Sequence, residues 1–308
     1  MRILVTGGAG YIGTELIQQL SEQKNVSEII VYDNLSSGNR NFFLGQQKLN
    51  SDKLKFIQGD ILDSRKLKKV VQGVDTVYHL AANVTTPFSD QNPHLFEQVN
   101  HWGTAELVYA VEASNVKRFI HLSSASVYGA SEDVCTLNDQ PQPETFYGIS
   151  KLRAEEHVKR LQDKKPETYI LRCGNVYGYN RSMRFDAVIN RFMFEANFKG
   201  RITVNGTGEQ HRPFIHIKKV AEALISLCCE TSIKNGTYNL VDQNMAIGEV
   251  VENLRKVYPQ VEMIFVNQHM KMRQLRVAPS EEMKQLYNKA HSLGFMEELQ
   301  EFKNSFSF

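Results

Sequence analysis

A chain of 308 residues with 42% hydrophobic content has enough apolar mass for one large domain or two moderate ones. Its 36 basic and 34 acidic side chains leave a formal net charge of +2, so no overall field recruits nucleic acid, and a small anionic ligand is the more economical partner. Four cysteines without C-x-x-C spacing, no basic-then-apolar leader and no apolar run of about 18 residues read as a cytosolic protein without zinc, disulfides or a membrane span.

Ile3 to Thr6 is a short apolar run that predicts a buried strand, and Gly7, Gly10 and Gly13 follow on the spacing G-x-x-G-x-x-G. Ile12, Leu16, Ile17 and Leu20 then recur on one helical face, so the glycines occupy a strand-to-helix turn. Such a turn binds a pyrophosphate: glycines admit its oxygens close to the backbone, and the N–H groups and dipole of the helix start hold its charge. Glu28 to Tyr32 predicts a second strand ending at Asp33, where a carboxylate accepts from a ribose hydroxyl and repels a 2′-phosphate, favouring NAD over NADP. The competing reading of Asp33 is a residue that caps its own loop.

Leu54 to Gln58 predicts a third strand leading into Gly59-Asp60-Ile61, and Thr76 to Leu80 a fourth leading into Ala81-Ala82. Alternation with helical stretches implies a doubly wound parallel sheet whose ligand crevice lies at the carboxyl ends of the strands. A long helical stretch from about Asn92 to Ser114 covers the sheet, and a fifth strand, Arg118 to Leu122, runs into Ser123-Ser124-Ala125-Ser126 at that same edge. Tyr147 and Lys151 follow at a spacing of four, which puts a phenol and an ammonium on one helix face. After Cys173, helices are predicted near Phe185 to Asn197, Val220 to Glu230 and Ile247 to Tyr258, and Cys228-Cys229 reads as apolar packing.

The segments TGGAGYIG, YDNL, GDILD, HLAA, SSASVYG and YGISK, with RCGNVYG and GEQHRPFIHI further on, resemble those of the extended short-chain dehydrogenases of the nucleotide-sugar epimerase/dehydratase family, over most of the chain. The resemblance implies a Rossmann NAD-binding domain over 1–172 and a smaller α/β substrate lobe over 173–308, with the segment about 214–230 packing back on the first. NAD would be held by Gly7, Gly10, Tyr11, Ile12, Gly13, Asp33, Asn34, Asp60, Ile61, Ala81, Ala82, Tyr147 and Lys151. Ser124, Tyr147 and Lys151 would be catalytic. Ser124, Ser126, Asn175, Arg212, Lys271 and Arg273 would touch a nucleotide-diphosphate sugar. The family's dimer helices correspond to Asn92 to Ser114 and Tyr147 to Gln162, which implies a homodimer.

The chemistry expected of Tyr147 is demanding. A phenol of ordinary pKa about 10 works as a base near pH 7 only if about 4 kcal/mol is supplied, and a cation about 4 Å away at an effective dielectric of about 20 supplies that much. Lys151 and an oxidised nicotinamide are the expected cations. The first functional reading is C4 epimerisation through transient oxidation of the sugar. The runner-up is reduction of a 4-keto sugar nucleotide, and a non-catalytic dinucleotide sensor is the reading from another class. A 4,6-dehydratase is disfavoured, because that branch carries an Asp-Glu pair where this chain has Ala125 and Ser126. Pro213 after Arg212, Lys218-Lys219, Tyr179 and the loose match around Lys271, Arg273 and Arg276 depart from the family pattern and leave the sugar and nucleotide open.

Overall fold

The computed structural model describes the chain apart from residues 46–48, 85–91, 165, 230–232, 270–271 and 289–290, and for residues 51 and 229 the description is confined to backbone. Seven parallel strands form one sheet, in the order Gly236–Leu240, Glu167–Cys173, Arg118–Ser124, Thr76–His79, Arg2–Thr6, Glu28–Asp33 and Leu54–Gln58. Helices cover both faces, which is why the first strand is apolar at successive positions rather than alternate ones. Ile3 and Val5 enter a core with Leu16, Ile17, Leu224 and Leu227, while Leu4 enters the opposite core with Leu67, Leu107, Val108 and Leu161. All three strand residues are fully buried, each worth about 1.5–3 kcal/mol of apolar transfer.

The chain winds outward from Arg2–Thr6 through Glu28–Asp33 to Leu54–Gln58, then crosses to Thr76–His79 on the other side of the first strand. That reversal opens a crevice beyond the carboxyl ends of Arg2–Thr6 and Thr76–His79. The helical stretch covering the sheet is not uniform: Pro93–Phe96 and Gly103–Glu112 flank a wider π-helical turn, Glu97–Trp102. A π turn rotates the side chains that follow it and is frequent at functional sites.

The sheet takes its last strand, Gly236–Leu240, from the second half of the chain, and the helix Ile217–Cys229 packs against the helix Tyr11–Glu22. The remaining residues build a smaller lobe around Phe192, Met193, Phe214, Val250, Leu254 and Phe302. It carries the strands Asn175–Tyr177, His211–His216 and Gln243–Ala246, the pair Arg201–Asn205 with Glu262–Val266, and the helices Val188–Lys199, Ile247–Val257 and Phe295–Asn304. The helix expected from Phe185 begins at Val188, which leaves Arg184, Asp186 and Ala187 on the rim of the crevice. Glu298 anchors the last helix, accepting from Tyr177 and lying 3.2 Å from Lys219, which also meets Asp242 at 2.7 Å. Among the described residues no helix is long and apolar enough to cross a membrane.

Candidate active site

A cavity of about 1160 Å³ fills the crevice and continues into the smaller lobe. At its first end lies the glycine turn. Gly7 has φ +70°, and a Cβ there would lie 2.5 Å from the backbone nitrogen of Ala81; a Cβ on Gly13 would lie 2.6 Å from Gly8. Only glycine lets the two strand ends and the helix start approach this closely. The helix Tyr11–Glu22 has Gly10 as its N-cap and no side-chain cap, so its first N–H groups are free for an anion. This cradle fits a dinucleotide pyrophosphate.

Acids line the cavity next to the glycine turn, where the resemblance places the adenosine half of NAD. Asp33 accepts from the backbone of Ala9 at 3.0 Å and of Leu35 at 2.8 Å, so it braces the glycine turn and its own loop at once. Each carboxylate oxygen has a second lone pair, which leaves acceptor capacity for a ribose hydroxyl. Asp60 accepts from Leu62 at 2.9 Å and from the Asn34 amide at 2.9 Å, and Ile61, Ala81, Ala82 and Ile12 complete the wall. Tyr11 also lines the cavity, but its hydroxyl donates to the carbonyl of Gly178 and its own carbonyl accepts from Asn180 at 3.0 Å. It is a strut between the glycine turn and the smaller lobe.

The helix carrying the Tyr/Lys pair, Phe146–Gln162, starts where Thr145 accepts from the backbone of Gly148 at 2.9 Å, a cap worth about 1 kcal/mol. Tyr147 therefore sits in the first turn and Lys151 one turn on, both on the cavity wall with Ser124 and Ser126. The Ser124 hydroxyl lies close enough to the Tyr147 phenol to pull its pKa down, and it accepts from the backbone of Ser126 at 3.1 Å. Behind the wall, Asn100 on the π turn holds both backbone groups of Asn83, at 2.7 and 2.9 Å, and donates to Ser150 at 3.0 Å; Ser150 donates to the carbonyl of Tyr147 at 2.8 Å. One buried amide thus ties the loop after the fourth strand to the helix of Tyr147.

The electrostatics differ from the sequence expectation in one respect. Burial pushes the Tyr147 phenol up, and the groups that pull it back are Ser124 and the Arg184 guanidinium, not Lys151. Lys151 is drawn toward the sheet, donating to the carbonyl of Leu122 at 2.6 Å, and burial pushes its ammonium down to about 8. An i,i+4 spacing sets the helix face; it does not set where a four-carbon chain ends.

At the far end stand Asn175, Arg212 and Arg273. Asn175 donates to the carbonyl of Pro213 at 3.1 Å. Arg212 donates to the carbonyls of His211, at 2.7 Å, and Arg273; burial, with Arg273 nearby, pushes its guanidinium down to about 10. Arg273 pairs with Glu144 at 3.2 Å. Lys271, expected beside it, lies outside the described residues. The structure adds residues that periodicity and motifs did not single out: Ser182, Arg184, Asp186 and Arg191. Arg184 pairs with Asp186 through Nε at 3.1 Å. Ser182, Arg184 and Asp186 lie in the short run between NVYG and the next helix, where a loop has no period to reveal its inward face, and Arg191 lies on that helix.

Comparisons with known proteins agree with this geometry. The model of the NAD dependent epimerase/dehydratase family matches residues 3–240. The dTDP-D-glucose 4,6-dehydratase of Bos taurus is 34% identical over 232 residues, covering 73% of this chain and 64% of that protein, so the chain matches less than two thirds of that relative's length. The UDP-glucose 4-epimerase of Erwinia amylovora is 30% identical over 282 residues, 83% of this chain and 82% of that one. Among solved structures, the UDP-N-acetylglucosamine 4-epimerase from Methanobrevibacter ruminantium M1 in complex with UDP-N-acetylmuramic acid has a TM-score of 0.85 at 25% identity, covering 98% and 97% of the two chains. The UDP-glucuronic acid 4-epimerase from Bacillus cereus in complex with UDP-glucuronic acid and NAD has a TM-score of 0.83 at 25% identity, covering 99% and 98%. With its glycine turn, its Ser/Tyr/Lys wall and a family match over most of its length, this chain belongs to the NAD dependent epimerase/dehydratase family.

Proposed function

We propose that this chain is an NAD-dependent epimerase of a nucleotide-diphosphate sugar, acting at C4 through a transient 4-keto sugar. The observation that carries this reading is the charge state of the wall around Tyr147. Among the described residues, the carboxylates that line the cavity near it, Glu144 and Asp186, are both tied up in ion pairs, with Arg273 and Arg184. Elimination of water needs a free acid and base on the sugar, and Ala125 and Ser126 supply neither. A wall whose carboxylates are paired and whose other groups are hydroxyls and cations suits simple removal and return of one hydride. NAD supplies the hydride acceptor. Tyr147 takes the proton of the sugar hydroxyl, Ser124 orients that hydroxyl, Lys151 holds the nicotinamide ribose, and Asn175 with Arg212 secures the substrate while the sugar turns.

Incubation with UDP-glucose, UDP-N-acetylglucosamine and UDP-glucuronic acid, without added reductant, tests this. The expected result is a 4-epimer of one of them. Steady consumption of NADH with a 4-keto sugar nucleotide and no 4-epimer would establish a reductase, and a 4-keto-6-deoxy product a dehydratase.

The same reading includes a homodimer. Trp102 and Tyr109 expose large apolar surfaces, 54% and 38%, along one run of helix, the stretch expected to pair with a second copy. Light scattering at micromolar concentration should give twice the chain mass; a monomer mass would remove the dimer.

A further inference from the structure

Glu97 and His101 stand four residues apart in the π-helical turn, and His157 meets them from the helix Phe146–Gln162. The Nδ1 of His101 lies 2.9 Å from one Glu97 carboxylate oxygen, and its Nε2 lies 3.0 Å from the Nε2 of His157. A carboxylate only accepts, so neutral His101 carries its proton on Nδ1 and turns a lone pair toward His157, which donates to it. The two rings meet edge to edge, with centroids 5.1 Å apart and planes at 30°. Trp102 stacks on His101 at 4.8 Å, Tyr109 packs edge-on against His157 at 6.2 Å, and Arg153 holds the other Glu97 oxygen at 2.7 Å. Both imidazoles are partly exposed and neither lines the large cavity, so the cluster takes no part in the chemistry proposed above.

We propose that His101 and His157 form a binding site for a divalent transition-metal ion such as Zn²⁺, with Glu97 orienting His101 behind it. Imidazole is a preferred ligand of such ions, and a ligating histidine commonly gives its other ring N–H to a carboxylate, as His101 does here. With Zn–N bonds of about 2.0–2.1 Å, two ligands of a tetrahedral ion stand about 3.3–3.4 Å apart, so the 3.0 Å between the nitrogens has only a few tenths of an ångström to widen. The ion replaces the one proton that the two nitrogens share, and His157 takes a proton at Nδ1 instead. Burial, with His101 and Arg160 nearby, pushes His157 below its ordinary value, so near neutral pH the ring is uncharged, as a ligand has to be. Two imidazoles leave the remaining positions to water, or to the same pair of a second copy, because Trp102 and Tyr109 mark the face proposed for the dimer. The pair is 56 residues apart in the chain, so no spacing motif announces it. A second cluster, His216, His291 and Glu298, is less suited: its carboxylate already faces the Lys219 ammonium at 3.2 Å, and the His216 Nδ1 accepts from the backbone of Lys218 at 3.3 Å.

Calorimetric titration of the untagged full chain with Zn²⁺, together with electron paramagnetic resonance of added Cu²⁺, tests the site. The wild type should bind one ion per chain, or one per two chains if two copies share it, and the Cu²⁺ spectrum should show at least two coordinated nitrogens. His101→Gln and His157→Gln should each remove that binding while NAD affinity and melting temperature stay near those of the wild type. Glu97→Gln should weaken Zn²⁺ about tenfold or more, the usual cost of losing such a carboxylate, without displacing either imidazole. A wild type that binds no Zn²⁺ overturns the proposal, as does binding that survives both histidine variants. Binding that is lost in His291→Gln and kept in His157→Gln overturns it in favour of the buried cluster.

Discussion

In the proposed reaction Tyr147 gives up a proton near neutral pH, and its burial opposes that by favouring the uncharged phenol. The protein offers it the Ser124 hydroxyl and the positive charge of Arg184, the latter already shared with Asp186. On that proposal the positive charge of oxidised nicotinamide would contribute the rest, which would couple phenol ionisation to the redox state of the cofactor. Replacing Tyr147 by Phe should lower turnover about 10²- to 10⁴-fold while cofactor titration stays near wild type; unchanged turnover would remove Tyr147 from the chemistry. If the Lys151 charge is needed for turnover, it sets an upper limit in pH. Its ammonium is charged below about 8 and neutral above, so a rate that depends on that charge falls as pH rises through this value. A rate profile flat from pH 7 to 10 would show that the charge is not needed.

At the scale of the element, the strand-turn-helix at the start of the chain is the most constrained segment, because three backbones converge on it. Gly7→Ala meets two penalties: φ +70°, costing about 1 kcal/mol or more, and a Cβ 2.5 Å from the backbone of Ala81, which has to move. Ala81 lines the cavity, so the displacement reaches the cofactor site. Gly200 provides the control. It has φ +65° with nothing within 4 Å of a Cβ, so Gly200→Ala carries the conformational cost alone. Thermal melting should rank the two variants in that order, and NAD affinity should fall only in Gly7→Ala. Equal melting temperatures and equal NAD affinities would show that the close approach to Ala81 does not matter.

At the scale of the whole molecule, buried imidazoles couple folding to acid, His79 and His216 among them. His79 bridges the hydroxyls of Thr6 and Thr104, each at 2.8 Å, and joins the glycine-turn strand to the helix Gly103–Glu112. His216 sits in the smaller lobe, stacked on His291 at 4.8 Å. Burial pushes both down to about 3. The unfolded chain, with an ordinary value near 6.5, binds more protons than the folded one below that pH. The stability these neutral rings permit is therefore complete above about 6.5 and is lost as pH falls toward 3, by several kcal/mol in all. Urea midpoints should drop steeply between pH 7 and 4.5 in the wild type and less steeply in His79→Gln. The same drop in both would show that His79 does not carry the acid dependence.

What could be read from the amino-acid order alone has a local cause. Three glycines at intervals of three make a turn wherever they follow a strand, a run of apolar residues makes a strand covered on both faces, and residues four apart share a helix face, so Gly7, Gly10, Gly13, Asp33, Tyr147 and Lys151 could be named before any coordinates. Each depends on spacing within one segment. Other features depend on segments far apart in the chain meeting through packing. The Lys151 ammonium donates to the carbonyl of Leu122, 29 residues earlier, a contact that no spacing within its own helix announces. Arg273 is claimed by Glu144, Arg184 by Asp186, and Tyr11 by Gly178 across 167 residues, while Arg191 and Ser182 are left with buried polar atoms free. Periodicity specifies which face of an element is apolar. Which guanidinium finds a carboxylate, and which does not, is decided only when desolvation and hydrogen-bond geometry act on the assembled chain.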